Sequence, residues 1–161
     1  MSDDIKKWDQ DKFERVKKEA EDFYKNIGKV RCPYFDEDVN FNSRGLDHIK
    51  FKEWNKTRPT IDQYMRLRLI KLAPLIIKKS NTLQGIWKTQ NFERRNINSR
   101  WERILRGVIF FEFIAIVKGV RIKIIVKQVE GGEKYFWSII PFWGKDKNNN
   151  KVFYSGEPEI D

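Results

Sequence analysis

The sequence predicts an α+β domain, with N-terminal helices packed on a curved antiparallel β-meander of four to five strands. Three observations carry this reading. Apolar residues recur at spacings of three and four across 3–27 and again across 60–76, which is the helical period. From residue 108 onward, β-branched and aromatic runs alternate with basic residues, the period of a half-buried strand. The pairs Lys118-Gly119 and Gly131-Gly132 then separate these runs at hairpin length.

Taken in order, Ile5, Trp8, Val16, Ala20, Phe23, Tyr24 and Ile27, with Phe13 beside them, form the stripe of an amphipathic first helix. Ser2 or Asp3 caps its start, and Gly28 stands where a C-terminal stop belongs. Segment 1–29 is expected as an N-terminal helix ahead of a basic α+β domain, 30–161. The stripe is expected to pack on that domain, with a protein partner on the helix as the alternative. Residues 32–35 read as a loop, 38–42 as a short alternating strand and 43–45 as a turn. Periodicity leaves 46–52 open between a helical turn and a strand.

Thr60 with Gln63 makes a capping box, so a helix begins there, its face drawn from Ile61, Tyr64, Met65, Leu69, Leu72, Ala73 and Ile76. Pro74 inside that run predicts a kink or a break. Residues 82–88 are a candidate strand, 89–99 a polar stretch, and 101–106 a helical turn or the lead-in to a strand. Strands follow at 108–117, 120–127 and 135–142, with Ile122, Ile124 and Val126 turned to the core and Arg121 and Lys123 away from it. A loop at 145–151 precedes a last short strand, 152–154, and the acidic tail 156–161 is expected to fray.

With 161 residues and 19.5 kDa the chain has room for one real core. Its 40% hydrophobic and 14% aromatic content is too rich for a disordered protein. No apolar run approaches the ~18 residues of a membrane helix, and the acidic start 1–4 is no secretory signal. Cys32, the single cysteine, excludes an internal disulfide framework and a cysteine-rich zinc site. A soluble, cytoplasmic, basic protein is expected.

The net charge of +10 is unevenly placed. Acids and bases balance within 1–29, so the excess belongs to the remainder. It is densest over 50–79, where Lys50, Lys52, Lys56, Arg58, Arg66, Arg68, Lys71, Lys78 and Lys79 face only Glu53 and Asp62. Trp54, Tyr64, Trp87, Phe92 and Trp101 stand in or near that stretch. Positive charge beside aromatics is the composition of a nucleic-acid surface.

The chain has no Walker loop, GxGxxG, GxSxG or HExxH, and Glu112 stands almost alone among the acids of its core strands. No cofactor and no metal are therefore expected. His48 is the residue that stands out, because it alone titrates near neutrality. Metal-free RNA cleavage needs a 2′-hydroxyl to lose a proton, a 5′-oxygen to gain one, and cations beside the doubly charged phosphorane. A histidine with Lys50, Lys52 and Arg58 at hand supplies those roles.

Several segments then combine into a pattern: Asp47-His48-Ile49, the helix end Leu69-Ile70-Lys71-Leu72-Ala73-Pro74-Leu75-Ile76-Ile77, the runs at 113–117 and 122–127, and Trp137-Ser138-Ile139-Ile140-Pro141-Phe142. Over residues 40–143 the chain resembles the phage-type nuclease domains of the barnase/EndoU/colicin/RelE superfamily. The resemblance implies a toxin-like, metal-independent endoribonuclease of phage or mobile-element type. It makes His48 the active-site histidine, Arg58 the basic residue opening the helix, and Ser138 the hydroxyl on the closing strand. Where the family often carries a second basic residue or histidine, Lys52 stands. The expected RNA contacts are Lys50, Arg66, Arg68, Lys71, Arg121 and Lys123, with Trp137 stacking a base. A non-catalytic nucleic-acid-binding module is the alternative.

Overall fold

A computed structural model describes residues 3–53, 56–141 and 156–161. Ser2, Trp54, Phe142, Trp143, the loop at 145–151 and the strand expected at 152–154 lie outside them, as do the side chains of Ile5 and Trp8. Helix α1 spans Asp3–Lys25, and Gly28 follows it in the left-handed region at φ +69°. Phe13, Ala20 and Tyr24 bury the α1 stripe in the core, with Val16, Phe23 and Ile27 packed against it. The helix therefore docks on its own domain.

Strands β1 (Lys29–Cys32) and β2 (Glu37–Asn40) pair as an antiparallel hairpin. Helix α2 (Ser43–Lys50) begins where the sequence predicted a turn, because the Asn42 side chain accepts from the backbone of Arg44 and Gly45. That cap settles 46–52 as helix up to Lys50, followed by β3 (Phe51–Glu53), which pairs with β4 (Lys56–Thr57).

Helix α3 (Thr60–Leu69), a 3-10 turn (Ile70–Leu72) and α4 (Ala73–Lys79) come next. The break falls at Pro74, which sits in the first turn of α4 where its missing amide proton costs nothing. The expected capping box does not form: Pro59 occupies the cap position, and Gln63 Nε2 donates to the Arg58 carbonyl at 2.8 Å. The buried face of α3 also differs from the apolar one predicted. Asp62, Gln63, Arg66 and Leu67 point inward while Ile61 is 60% exposed.

The main sheet is built by β5 (Gly85–Ile97), β6 (Arg100–Val117), β7 (Val120–Val129) and β8 (Lys134–Pro141), in the order β1-β2-β8-β7-β6-β5. All neighbours are antiparallel except β2 and β8, which touch in parallel at Asn40 and Tyr135. Lys118 (φ +51°) and Gly119 (φ +78°) make the mirror-image turn that matches strand twist. Asn98 (φ +50°) and Ser99 (φ +68°) repeat it between β5 and β6. The segment read as a polar stretch is thus strand, and 101–106, open between a helical turn and the lead-in to a strand, is strand as well. They lack apolar alternation because β7 pairs with β6 only over 108–117, leaving the rest of the hairpin without a core face.

The principal core lies between the helices and one sheet face, where Phe111, Phe113, Ile122, Ile124, Val126, Phe136 and Ile139 meet Ile49, Leu67, Ile70 and Ile77. Val108, Phe110 and Ile125 form a smaller cluster with Val129 and Trp137. Lys123, predicted to face away, is buried all the same and pairs with Glu112 at 3.5 Å. No helix among the described residues is long and apolar enough to cross a membrane.

Candidate functional site

The site begins with a close approach. A Cβ at Gly45 would lie 2.4 Å from the Phe136 carbonyl oxygen and 2.6 Å from Tyr24 Oη, so glycine alone lets α2 rest on β8. One helical turn on, His48 is thereby laid flat on Trp137, with ring centroids 3.9 Å apart and planes 16° apart. Lys127 caps the Trp137 ring at 3.9 Å and pairs with Glu159 at 3.2 Å.

Beneath this stack two arginines are buried. Arg58, just beyond β4, is 2% exposed and Arg66, on α3, is 0% exposed. Asp62, in the first turn of α3, bridges them, 2.6 Å from Arg66 Nε one turn on and 3.6 Å from Arg58 Nη1 just ahead of the helix. Arg58 also donates to the His48 carbonyl at 2.9 Å and to His48 Nε2 at 3.0 Å. Since an arginine only donates, Nε2 is the acceptor and the ring proton is on Nδ1. Arg66 Nη1 donates to Ser138 Oγ at 2.6 Å.

All of these donors converge on the tail. Ser138 Oγ donates to the Asp161 main-chain oxygen at 2.6 Å, Arg66 Nη1 donates to the same oxygen, and Arg58 Nη2 reaches the Ile160 oxygen at 2.9 Å. Trp137 Nε1 adds a bond to the Pro158 oxygen at 3.0 Å. The tail was expected to fray, yet Pro158 and Asp161 are buried. It is held because the pocket's cationic donors require acceptors and 156–161 supplies them.

These surroundings control protonation. Burial, and then the charges of Arg58, Arg66 and Lys127, hold the His48 imidazole down to about 2. Burial also lowers Arg58, to about 10, against the opposing charges of Asp62 and Asp161. The unfolded chain protonates His48 near 6.5 while the folded chain keeps it neutral down to about 2. Its contribution to stability is therefore complete above 6.5 and is lost as the pH falls below that value, by up to about 1.4 kcal/mol per pH unit. Urea midpoints measured from about pH 7 down to about pH 5, above the ordinary carboxylate range, are expected to fall in the parent. They should fall less in His48→Gln. Equal slopes in the two proteins would show that the ring is already charged in the fold.

No family model, curated protein or solved structure matches this chain. The site therefore stands on its own geometry. Of the residues singled out from sequence, His48, Arg58, Arg66, Trp137 and Ser138 come together. Lys52 lines the groove at the mouth, with Arg44, Asp47 and Phe51. Others are placed elsewhere. Lys50 is occupied by Glu21 of α1 at 2.5 Å, and Arg68 is exposed with its guanidinium over Tyr64. Lys71 and Arg121 are exposed outside the groove lining. Arg66 is an interior group, which makes Arg66→Glu a substitution in a buried ion-pair network and no probe of an outer surface.

Sequence reasoning missed Asp62, Lys127 and the tail. The spacing of Asp62 and Arg66 was a readable signal, since residues four apart share one helix face. Nothing local marked 156–161. Among the described residues, no three His, Cys, Asp or Glu side chains are grouped to hold a metal ion.

Proposed function

We propose that this chain is a metal-independent endoribonuclease whose Arg58–Arg66 pocket receives the scissile phosphate of RNA. One observation carries the reading: two buried guanidinium groups and a serine hydroxyl converge on main-chain oxygens of the chain's own tail, with a neutral histidine held against one of the guanidinium groups. Phosphate oxygens take the same donors, and planar guanidinium groups suit them especially. In this reading the RNA phosphate displaces residues 156–161. Arg58 and Arg66 then stabilise the second negative charge of the phosphorane, and Ser138 donates to a non-bridging oxygen. Entry of the phosphate offsets the arginine charges, and departure of the tail rehydrates the ring, so both main causes of the low His48 pKa relax. Arg58 Nη2 passes from His48 Nε2 to a phosphate oxygen, and the freed Nε2 then takes the 2′-hydroxyl proton. Lys52 at the rim donates the proton that the departing 5′-oxygen takes up as its bond to phosphorus breaks.

Incubated with RNA in EDTA, the protein should leave 2′,3′-cyclic phosphate ends. His48→Ala is expected to lose about 10²–10⁴-fold in turnover while retaining RNA affinity. Absence of cleavage by the full chain and by a chain ending at residue 155, across acid to alkaline pH, would overturn the enzyme reading. RNA binding without cleavage would leave the binding module in its place.

A further inference from the structure

We propose that the free end of the β5–β6 hairpin, residues 90–97 and 100–107, is an arm on which single-stranded RNA stacks as it enters the pocket. The proposal rests on the RNA reading above and names where that RNA is held. Over this length β6 has β5 as its partner but not β7, so a two-stranded ribbon projects beyond the sheet. Directly opposed residues share a face. The register therefore puts Phe92 with Leu105, Arg94 with Arg103, and Asn96 with Trp101 on one face. The ribbon's acids, Glu93 and Glu102, fall at register positions of the other face. One side thus carries aromatic positions bracketing Arg103.

Phe92 is 70% and Trp101 62% exposed, and Leu105 is also largely open to solvent. Single exposed apolar residues are ordinary, whereas several on one face of a projecting ribbon form a stacking platform beside Arg103. The arm also leads somewhere. Phe92 at its base lines a groove whose other ribbon residues, Asn91 and Arg106, belong to the opposite face, so a strand leaving the platform rounds the ribbon at Phe92 to reach Lys127 and Trp137. That groove shares Arg44 and Trp137 with the mouth of the pocket. Charge selects the occupant: a chain of net charge +10 repels a second copy of itself and attracts a polyanion. Stacking further requires bases that are unpaired.

The test uses the full chain and a fluorescein-labelled, single-stranded 2′-O-methyl RNA, which lacks the attacking hydroxyl, with binding followed by anisotropy. Phe92→Ala combined with Trp101→Ala should weaken binding by about ten- to a hundred-fold and leave its salt dependence unchanged. Arg103→Gln should instead flatten the slope of log affinity against log salt by about 0.7. These exposed side chains leave the core intact, so the variants should keep the parent's circular dichroism and thermal midpoint. Variants that match the parent in affinity and slope overturn the arm alone and leave the pocket reading standing. A change in the chain's sedimentation on mutation, with RNA affinity unchanged, would make the ribbon a self-association face and also overturn it. A parent that binds no RNA overturns both readings.

Discussion

Asp62→Ala is expected to lower the free energy of unfolding by about 3–5 kcal/mol, the cost of leaving buried charges uncompensated. Asp62 is the carboxylate that lies between two guanidinium groups, each with a side chain 1% exposed. Its removal leaves Arg58 and Arg66 close together in a medium that screens them poorly. Asp161 from the tail then remains as a counter-charge. Replacing Arg58, Asp62 and Arg66 together by apolar residues of similar volume should cost less than Asp62→Ala alone, because the desolvation penalty disappears along with the pair. Urea denaturation of the three proteins decides the matter. A loss for Asp62→Ala below about 1 kcal/mol would mean that the pocket is wet enough to behave like a surface pair.

Ending the chain at residue 155 is expected to raise the pocket's apparent affinity for inorganic phosphate and for RNA by at least about ten-fold. On the proposed reading the tail competes with phosphate as a tethered ligand at high effective concentration. It places oxygens on Arg58, Arg66 and Ser138, and it engages Trp137 and Lys127 through Pro158 and Glu159. Its own carboxylates, Glu157, Glu159 and Asp161, give it the same sign as the proposed ligand. The same deletion should lower the thermal midpoint, since the arginines lose acceptors. Added phosphate should restore that midpoint in the shortened chain far more than it raises the parent's. Equal responses to phosphate would show that the tail does not gate the pocket.

Much of the fold was legible in the sequence because it depends on local chemistry. Pro74 cannot continue a helix without a break, and Lys118-Gly119 can adopt the two left-handed conformations of a tight hairpin. The 3.6-residue stripe of α1 and the alternation of Ile122, Ile124 and Val126 report which side meets apolar surface, and both are buried as read. Those features settle an α+β domain from one chain alone.

The tertiary structure decided what periodicity does not encode. Asp62, Gln63 and Arg66 turn inward while Ile61 stays out, because burying polar groups is tolerable only where distant partners satisfy them, and here those partners are Ser138 and the tail. The β5–β6 ribbon reads as polar coil because both of its faces meet solvent, leaving cross-strand pairing without an apolar stripe to announce it. His48, Arg58, Arg66, Ser138 and Asp161 lie far apart along the chain, and only the seating of α2 on β8 through Gly45 draws them to one point.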